Sequence, residues 1–268
     1  MADLRIGCSS WTSEAWWGRV YPKTLKDSER LAWYARSFDS VEVDSSYYRP
    51  PPRGMIEGWR SRTPPAFRFT LKLTRDFLDP KVPLDRDRLG AFLGTARVLG
   101  EKLGPILLQF TPWVRPGKAR DHVVALMDAL DGDLRYALEL RDRAWFEGDQ
   151  LAWLLGELSR RQIALVWSYL TYVEVPPKVT TDFLYLRFIG DHTTVPEEVH
   201  GEVRVDRTPV VRLWSDRLRA EAQRVERAFV FFNNHFAGFA PESVNLFRRE
   251  MGLEPLNYGP GTFQQRLP

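Results

Sequence analysis

The sequence predicts an α/β fold: a single (β/α)8, TIM-barrel-like domain over residues 1–268. Three observations carry that expectation. Eight short β-rich runs recur along the chain, helical stripes separate most of them, and nearly every run finishes in ionisable or amide side chains. Barrels of this class carry their sites at those strand ends. The competing architecture, an open doubly wound sheet, usually needs fewer strands, and no GxGxxG opens the first helix here.

The first run is RIGCSS (Arg5–Ser10), and Leu31, Tyr34, Ala35 and Phe38 follow it at the i, i+3, i+4, i+7 spacing of a helix face. SVEVD (Ser40–Asp44) is the second strand, and RPPPRG after it reads as a loop within a βα connection. FRFTLK (Phe67–Lys72) leads to a stripe of Leu89, Phe92, Leu93, Ala96 and Leu99, stopped by Gly104-Pro105. ILLQF (Ile106–Phe110) precedes Val123, Leu126, Met127 and Leu130; RYALELR (Arg135–Arg141) precedes Leu151, Leu154, Leu155 and Leu158. IALVW (Ile163–Trp167) is different. SYLTYVEVPPKVTTD, residues 168–182, has a double proline and no stripe, which predicts an irregular connection between strands six and seven. FLYLRF (Phe183–Phe188), a helix marked by Trp214, Leu218 and Val225, AFVFF (Ala228–Phe232) and a last helix on Val244, Phe247 and Met251 complete the chain. Most of the runs are nearly all apolar, as parallel strands covered on both faces should be.

Composition narrows the function classes. A hydrophobic fraction of 44% with 13% aromatics fits a packed core and excludes disorder. The net charge of +3 permits an anionic ligand or weak nucleic-acid contact and demands neither. One cysteine excludes an internal disulfide framework and a Cys-based zinc site, and fits a reducing compartment. The first residues lack a signal-peptide core, and no apolar run approaches the roughly 20 residues that span a bilayer. The expectation is a cytoplasmic protein with no membrane partner.

Side chains alternate along a strand, so Glu42 and Asp44 share a face, as do Thr70 and Lys72, and Glu139 and Arg141. Val41, Val43, Phe69, Leu71, Leu138 and Leu140 take the other face, toward the helices, and the polar face points into the lumen. Two readings are open. Buried ions pair whatever their role, so the ring can be a structural ion-pair network. As an active site, its candidate catalytic groups are Glu42, Glu139, Lys72 and His235. Asp44 beside Glu42 favours a protonated Glu42, a general acid; Arg141 holds Glu139 ionised, as a base or orienter. Lys72, Arg141 and Arg187 would hold an anion, Gln109, Asn233 and Asn234 would orient the ligand, and Ser9, Trp11, Asp44 and Tyr48 complete the binding set.

Cys8 has the chemistry of a nucleophile paired with His235, or of a small buried side chain. His235 suits a general base, a metal ligand or a hydrogen-bonded loop residue. His122, His192 and His200 lack ligand-like spacing and read as surface. No cofactor is predicted, and a divalent ion on Glu42, Asp44, Glu139 and His235 is the alternative, since acids and His suit such ions; Lys72, Arg141 and Arg187 would repel it, and no HExxH occurs. Trp11, Trp16, Trp17, Trp145, Tyr47 and Tyr48 could wall the mouth for stacking.

At these residues the chain resembles the YecE-like proteins, domain of unknown function 72. That family's IGTSGW run, Trp, Gly and YP are matched by IGCSSW, Trp16, Gly18 and Tyr21-Pro22; its VEXNXTFY by VEVDSSYY; its TPXXFXFXXK by TPPAFRFTLK. LGPILLQFTP, ELRDRAW, DFLYLRFIG and FFNNHFAGFAPESVNLF resemble its later blocks, so the likeness covers nearly the whole chain in order. The resemblance implies a TIM-barrel-like fold and no established reaction. Asp44 stands where the family usually has Asn, Ser10 where it has Gly, Ile189 where it often has His, and the sixth strand lacks an Asp common near Trp167-Ser168. The expected function is therefore an enzyme, a metal-independent hydrolase, lyase or isomerase, acting on a small anionic or polyhydroxylated, sugar-like substrate at the barrel mouth. The alternative is binding of nucleic acid or another macromolecule through a basic, Trp-lined mouth.

Overall fold

The computed structural model describes residues 2–262. Each apolar run folds into a strand: β1 (Asp3–Ser9), β2 (Ser40–Val43), β3 (Arg68–Leu71), β4 (Ile106–Gln109), β5 (Tyr136–Glu139), β6 (Ile163–Leu170), β7 (Phe183–Gly190) and β8 (Arg227–Phe232). Neighbours run β3-β2-β1-β8-β7-β6-β5-β4, all parallel, so the first strand meets the last and the sheet curls into a barrel. Closure is nearly complete. Between β3 and β4 there is no regular ladder, but Gly104 donates to the Phe69 carbonyl at 2.7 Å and Leu73 to the Leu107 carbonyl at 2.9 Å.

Helices α1 (Arg30–Tyr34), α2 (Arg53–Ser61), α3 (Arg86–Ala96), α4 (Pro116–Asp128), α5 (Gly148–Arg160), α6 (Thr208–Glu221), α7 (Asn234–Ala237) and α8 (Ala240–Glu250) surround the strands. The expected stripes are their buried faces, as Leu89, Phe92, Leu93 and Ala96 show on α3. Leu130 and Val225 lie beyond the ends of α4 and α6. RPPPRG is a loop only as far as Pro52. Arg53 and Gly54 already belong to α2, which buries just Ile56 and Trp59, an i, i+3 pair too short to show as a stripe. No helix follows β6, as expected. The connecting segment lies along that strand instead: Thr180 Oγ1 accepts from the Leu165 amide at 2.9 Å and donates to the Ile163 carbonyl at 2.7 Å, and the Trp167 indole donates to the Lys178 carbonyl at 2.9 Å. Among the described residues no helix is long and apolar enough to cross a membrane.

Alternation divides the apolar residues into two cores. Val41, Val43, Phe69, Leu71, Leu138 and Leu140 pack outward beneath the helices. Leu107, Ala137, Ala164, Val166, Phe183, Tyr185, Phe229 and Phe231 fill the lumen. The lumen-facing residue two positions further along is polar on most strands: Gln109 after Leu107, Glu139 after Ala137, Ser168 after Val166, Arg187 after Tyr185. The barrel is thus plugged by hydrocarbon below and lined by charge above.

Gly7 of β1 stands opposite Ser40 of β2. The Tyr34 hydroxyl wedges between them, accepting from the Cys8 amide at 2.8 Å and donating to the Ser40 carbonyl at 3.0 Å. A Cβ at Gly7 would lie 2.0 Å from that carbonyl oxygen, a contact only backbone movement can relieve. Gly7→Ala is expected to destabilise by about 3 kcal/mol. Gly90→Ala, within α3 with nothing within 4 Å, should stabilise by about 0.4–1 kcal/mol. Urea unfolding of both variants checks the pair; equal midpoints would refute the wedge.

Candidate active site

Arg187, on β7, is buried at the top of the lumen. Its Nε and Nη2 reach the two Glu42 oxygens at 2.8 and 2.7 Å, a bidentate pair with β2, and its Nη1 reaches Glu139 Oε2 on β5 at 2.6 Å. Both carboxylates are fully buried. Tyr185 and Ser9 donate to Glu42 at 2.8 and 3.0 Å, and Ser168 donates to Glu139. Because the Tyr185 proton is given to Glu42, Thr70 must donate in its 3.0 Å contact with the Tyr185 oxygen. Nearer the mouth, Arg141 holds Glu139 Oε2 at 2.8 Å. Lys72 lies 2.6 Å from Asp44, 3.0 Å from the Gln109 oxygen and 3.6 Å from Glu42. Three cations meet three carboxylates, as burial of ions requires.

This geometry corrects the expected split between the acids. Burial alone would raise the Glu42 carboxyl, but Arg187 and then Lys72 outweigh it and hold the group below its ordinary value. For Glu139, burial is likewise overcome by Arg141 and Arg187, which bring it down to about 2. Glu42 is not a proton donor at neutral pH. Asp44 does not act on it as a like charge, because Asp44 opens the short turn after β2 and is neutralised by Lys72. Both glutamates lie beneath the site, positioning Arg187, Arg141 and Lys72.

Above the network opens a cleft of about 580 Å³, lined by Ser9, Asp44, Tyr48, Lys72, Gln109, Arg141, Arg187, Asn233, Asn234 and His235. Not all of these are free. Asn234 donates to Ser13 and accepts from the Trp16 indole and the Ala240 amide, so its amide is consumed in holding the chain. Asn233 uses its oxygen to cap α7 at His235. Trp11 turns away from the cleft and packs edge-on against Trp59, centroids 5.5 Å apart. Trp16 and Trp145 are core residues, and Trp17 carries the Arg30 guanidinium at 4.6 Å. Cys8 faces the helices, fully buried, and burial pushes its thiol far up, so it is no nucleophile for His235.

Three histidines gather at one wall, which the sequence reading missed. His192 and His200, expected as surface residues, lie with ring centroids 3.7 and 4.5 Å from His235. Both come from the segment between β7 and α6, which folds back over the mouth; its place after a strand end was the available signal. His235 Nδ1 sits 2.7 Å from the Val195 carbonyl and therefore carries the hydrogen, which leaves the Nε2 lone pair available when the ring is neutral. Burial and then the charge of His235 lower the His192 and His200 values. His122 stands apart, bonded to the Phe77 carbonyl. Among the described residues no three His, Cys, Asp or Glu side chains are placed to share a metal ion, and Glu42, Asp44 and Glu139 are each committed to a cation.

Comparison with known proteins agrees with this architecture. A family model described as "Protein of unknown function DUF72" matches residues 5–266. The UPF0759 protein YunF of Bacillus subtilis is 29% identical over 150 residues, 53% of this chain; the match spans about half of that relative's length. Crystal structures of DUF72 family proteins from Enterococcus faecalis and Thermotoga maritima superpose with TM-scores of 0.78 and 0.76, at 21% and 23% identity. They cover 96% and 93% of this chain and 98% and 99% of their own. These structures share the fold. Two departures from the family pattern acquire a place. Ser10 has φ of 74°, the left-handed region that glycine enters without strain, and its hydroxyl is tied to Thr12 at 2.9 Å. Ile189 lines the cleft.

Removing one carboxylate leaves Arg187 undercompensated in a buried site. Glu42→Gln is expected to cost about 3–5 kcal/mol, whereas Asp44→Asn, at the partly exposed rim, should cost under about 1 kcal/mol; thermal melts of the two variants decide between a keystone and a spectator. Acid provides a second check. Both glutamates have depressed values in the fold, so their contribution is complete above the ordinary 4.5 and is lost as pH falls toward about 2. For Glu139 that is on the order of 3 kcal/mol. Stability should therefore decline steeply between pH 4.5 and 2, and a flat profile across that window would contradict the ion network.

Proposed function

The chain belongs to DUF72, a family of proteins of unknown function, and we propose that its barrel mouth is the active site of an enzyme that acts on a small hydroxyl-rich, sugar-like substrate by histidine acid–base chemistry. One observation carries the reading: a charge-balanced bed of donors and acceptors shares a single cleft with three clustered imidazoles. Because Lys72, Arg141 and Arg187 are matched by Asp44, Glu139 and Glu42, the mouth has no surplus positive charge for a strong anion. It offers fixed donors beside fixed acceptors instead, which suits hydroxyl groups that both give and take hydrogen bonds.

In this reading Asp44 and Gln109 accept from substrate hydroxyls, while Lys72 and Arg141 donate to them. Their positions are held from below by Glu42 and Glu139. Arg187, with Nε and both Nη atoms already engaged, is a positioning residue and not the third anion holder. His235 Nε2, its ring locked through Nδ1, is the base, and His192 beside it passes the proton. The lowered His192 value keeps that ring unprotonated at neutral pH.

Saturation-transfer NMR against aldoses, ketoses and aldonic acids identifies the ligand class; a set with no binder among hydroxyl-rich compounds would remove the proposal. With a turned-over compound in hand, His235→Gln should bind within about twofold of wild type and lose about 10²–10⁴-fold in turnover. Asp44→Asn should instead weaken binding by about tenfold. Full turnover by His235→Gln would exclude the imidazole as the base.

A further inference from the structure

A second cleft, of about 710 Å³, opens beside the mouth on the connections that follow β2, β3 and β4, and Tyr47 lines both. Its chemistry differs from the mouth's. The wall and floor include Leu78, Val114 and Ala119, which are apolar and buried. Trp113 lines the same cleft at 83% exposure, the most exposed large hydrophobic side chain described. An exposed indole beside an apolar floor offers a planar face for stacking.

The cations of this cleft are also placed differently. Arg75, Lys81 and Lys118 line it, and none has an acidic partner within salt-bridge distance among the described residues. Of the two acids present, Asp76 pairs with Arg88 at 3.3 Å and Asp79 accepts from the Lys81 amide at 2.9 Å. Arg115 is held by Asp142 at 3.0 Å. The mouth is neutralised; in this cleft Asp79, which has no cation within salt-bridge distance among the described residues, offsets one of the three cations and leaves a surplus of positive charge.

Resting on the mouth as the hydroxyl-binding part, we infer that the substrate is bipartite. Its far end carries a planar ring that stacks on Trp113 and an anionic group held by Arg75, Lys81 and Lys118, in the manner of a nucleotide joined to a sugar. A flat ring fills the slot between the indole and the apolar floor. The uncompensated cations at the rim take a phosphate as point charges and as a planar fork. A polynucleotide would need a longer track of uncompensated cations than these three supply.

The side cleft can be tested without knowing the sugar. Adenosine 5′-monophosphate and ribose 5-phosphate share a sugar phosphate and differ in the ring. Calorimetric titration of the full chain should show the nucleotide binding at least about tenfold tighter. Trp113→Ala, at a site whose exposure spares the fold, should remove that advantage and leave ribose 5-phosphate unchanged. Arg75→Gln with Lys81→Gln should weaken both compounds and flatten their salt dependence. Arg141→Gln, in the mouth, should leave the nucleotide's advantage over ribose 5-phosphate in place, because that advantage comes from the ring on Trp113. Nucleotide binding no tighter than ribose 5-phosphate, or insensitive to Trp113→Ala, overturns the inference. So does loss of nucleotide binding in Arg141→Gln, which would place the phosphate in the mouth. An octathymidylate that binds far tighter than the mononucleotide, with a salt slope of several charges, overturns it in favour of a nucleic-acid strand. If no hydroxyl-rich compound occupies the mouth while Trp113→Ala still weakens the nucleotide, the mouth reading falls and the side cleft stands as a site of its own.

Discussion

The guanidinium of Arg187 sits between two fully buried carboxylates, and the upper barrel is arranged around satisfying it. A charge this far from water must be paired with good geometry or it costs several kcal/mol. Here the solution spans the barrel: β7 supplies the cation, β2 and β5 the acids, β1 and β6 the serines that complete them. Each glutamate then has capacity left for one more cation, and those cations, Lys72 and Arg141, reach the mouth. Site and core are thus one electrostatic unit. The two buried acids tie distant strands together and aim the side chains that a ligand would touch.

That arrangement separates the charge at the mouth from any net field. Opposite charges in direct contact make a polar bed in which fixed donors stand beside fixed acceptors. Uncompensated charge lies instead on the connections after β3 and β4, Lys118 at the start of α4 included, where side chains are exposed and no buried acid requires them. Ordinary solvation explains the contrast. Cations inside the barrel must bring their counter-charge with them, and cations on the rim can leave theirs to the solvent.

The segment between β7 and α6 adds what the strands lack. Strand ends furnish acids, amides and bases fixed by the ladder, but the imidazoles His192 and His200 come from a connection that returns to pack on His235. The Val195 carbonyl on that same connection fixes the His235 tautomer. The departures from the family pattern fall around this machinery. Ser168 donates to Glu139 and so belongs to the ion network. Ile189 puts hydrocarbon on the wall close to the histidines.

Much of this was determined by the sequence by itself. The strand count, the missing helix after β6 and the inward face of Glu42, Thr70, Lys72, Glu139, Arg141 and Arg187 follow from periods of two and 3.6 residues. Those periods are properties of the backbone and hold before any tertiary contact exists. The same reasoning places the polar ring at the strand ends. Short elements escaped it: α2 buries too few residues to leave a periodic trace, and Trp16 and Trp145 look no different in sequence from Trp113, which is exposed. What only the tertiary structure decided was pairing. Asp44 is two residues from Glu42, yet it answers to Lys72 on another strand. Glu42 is held ionised by Arg187, which is 145 residues away in the chain. Protonation state follows from distances of a few ångströms between groups brought together by barrel closure, and sequence separation carries no information about those distances.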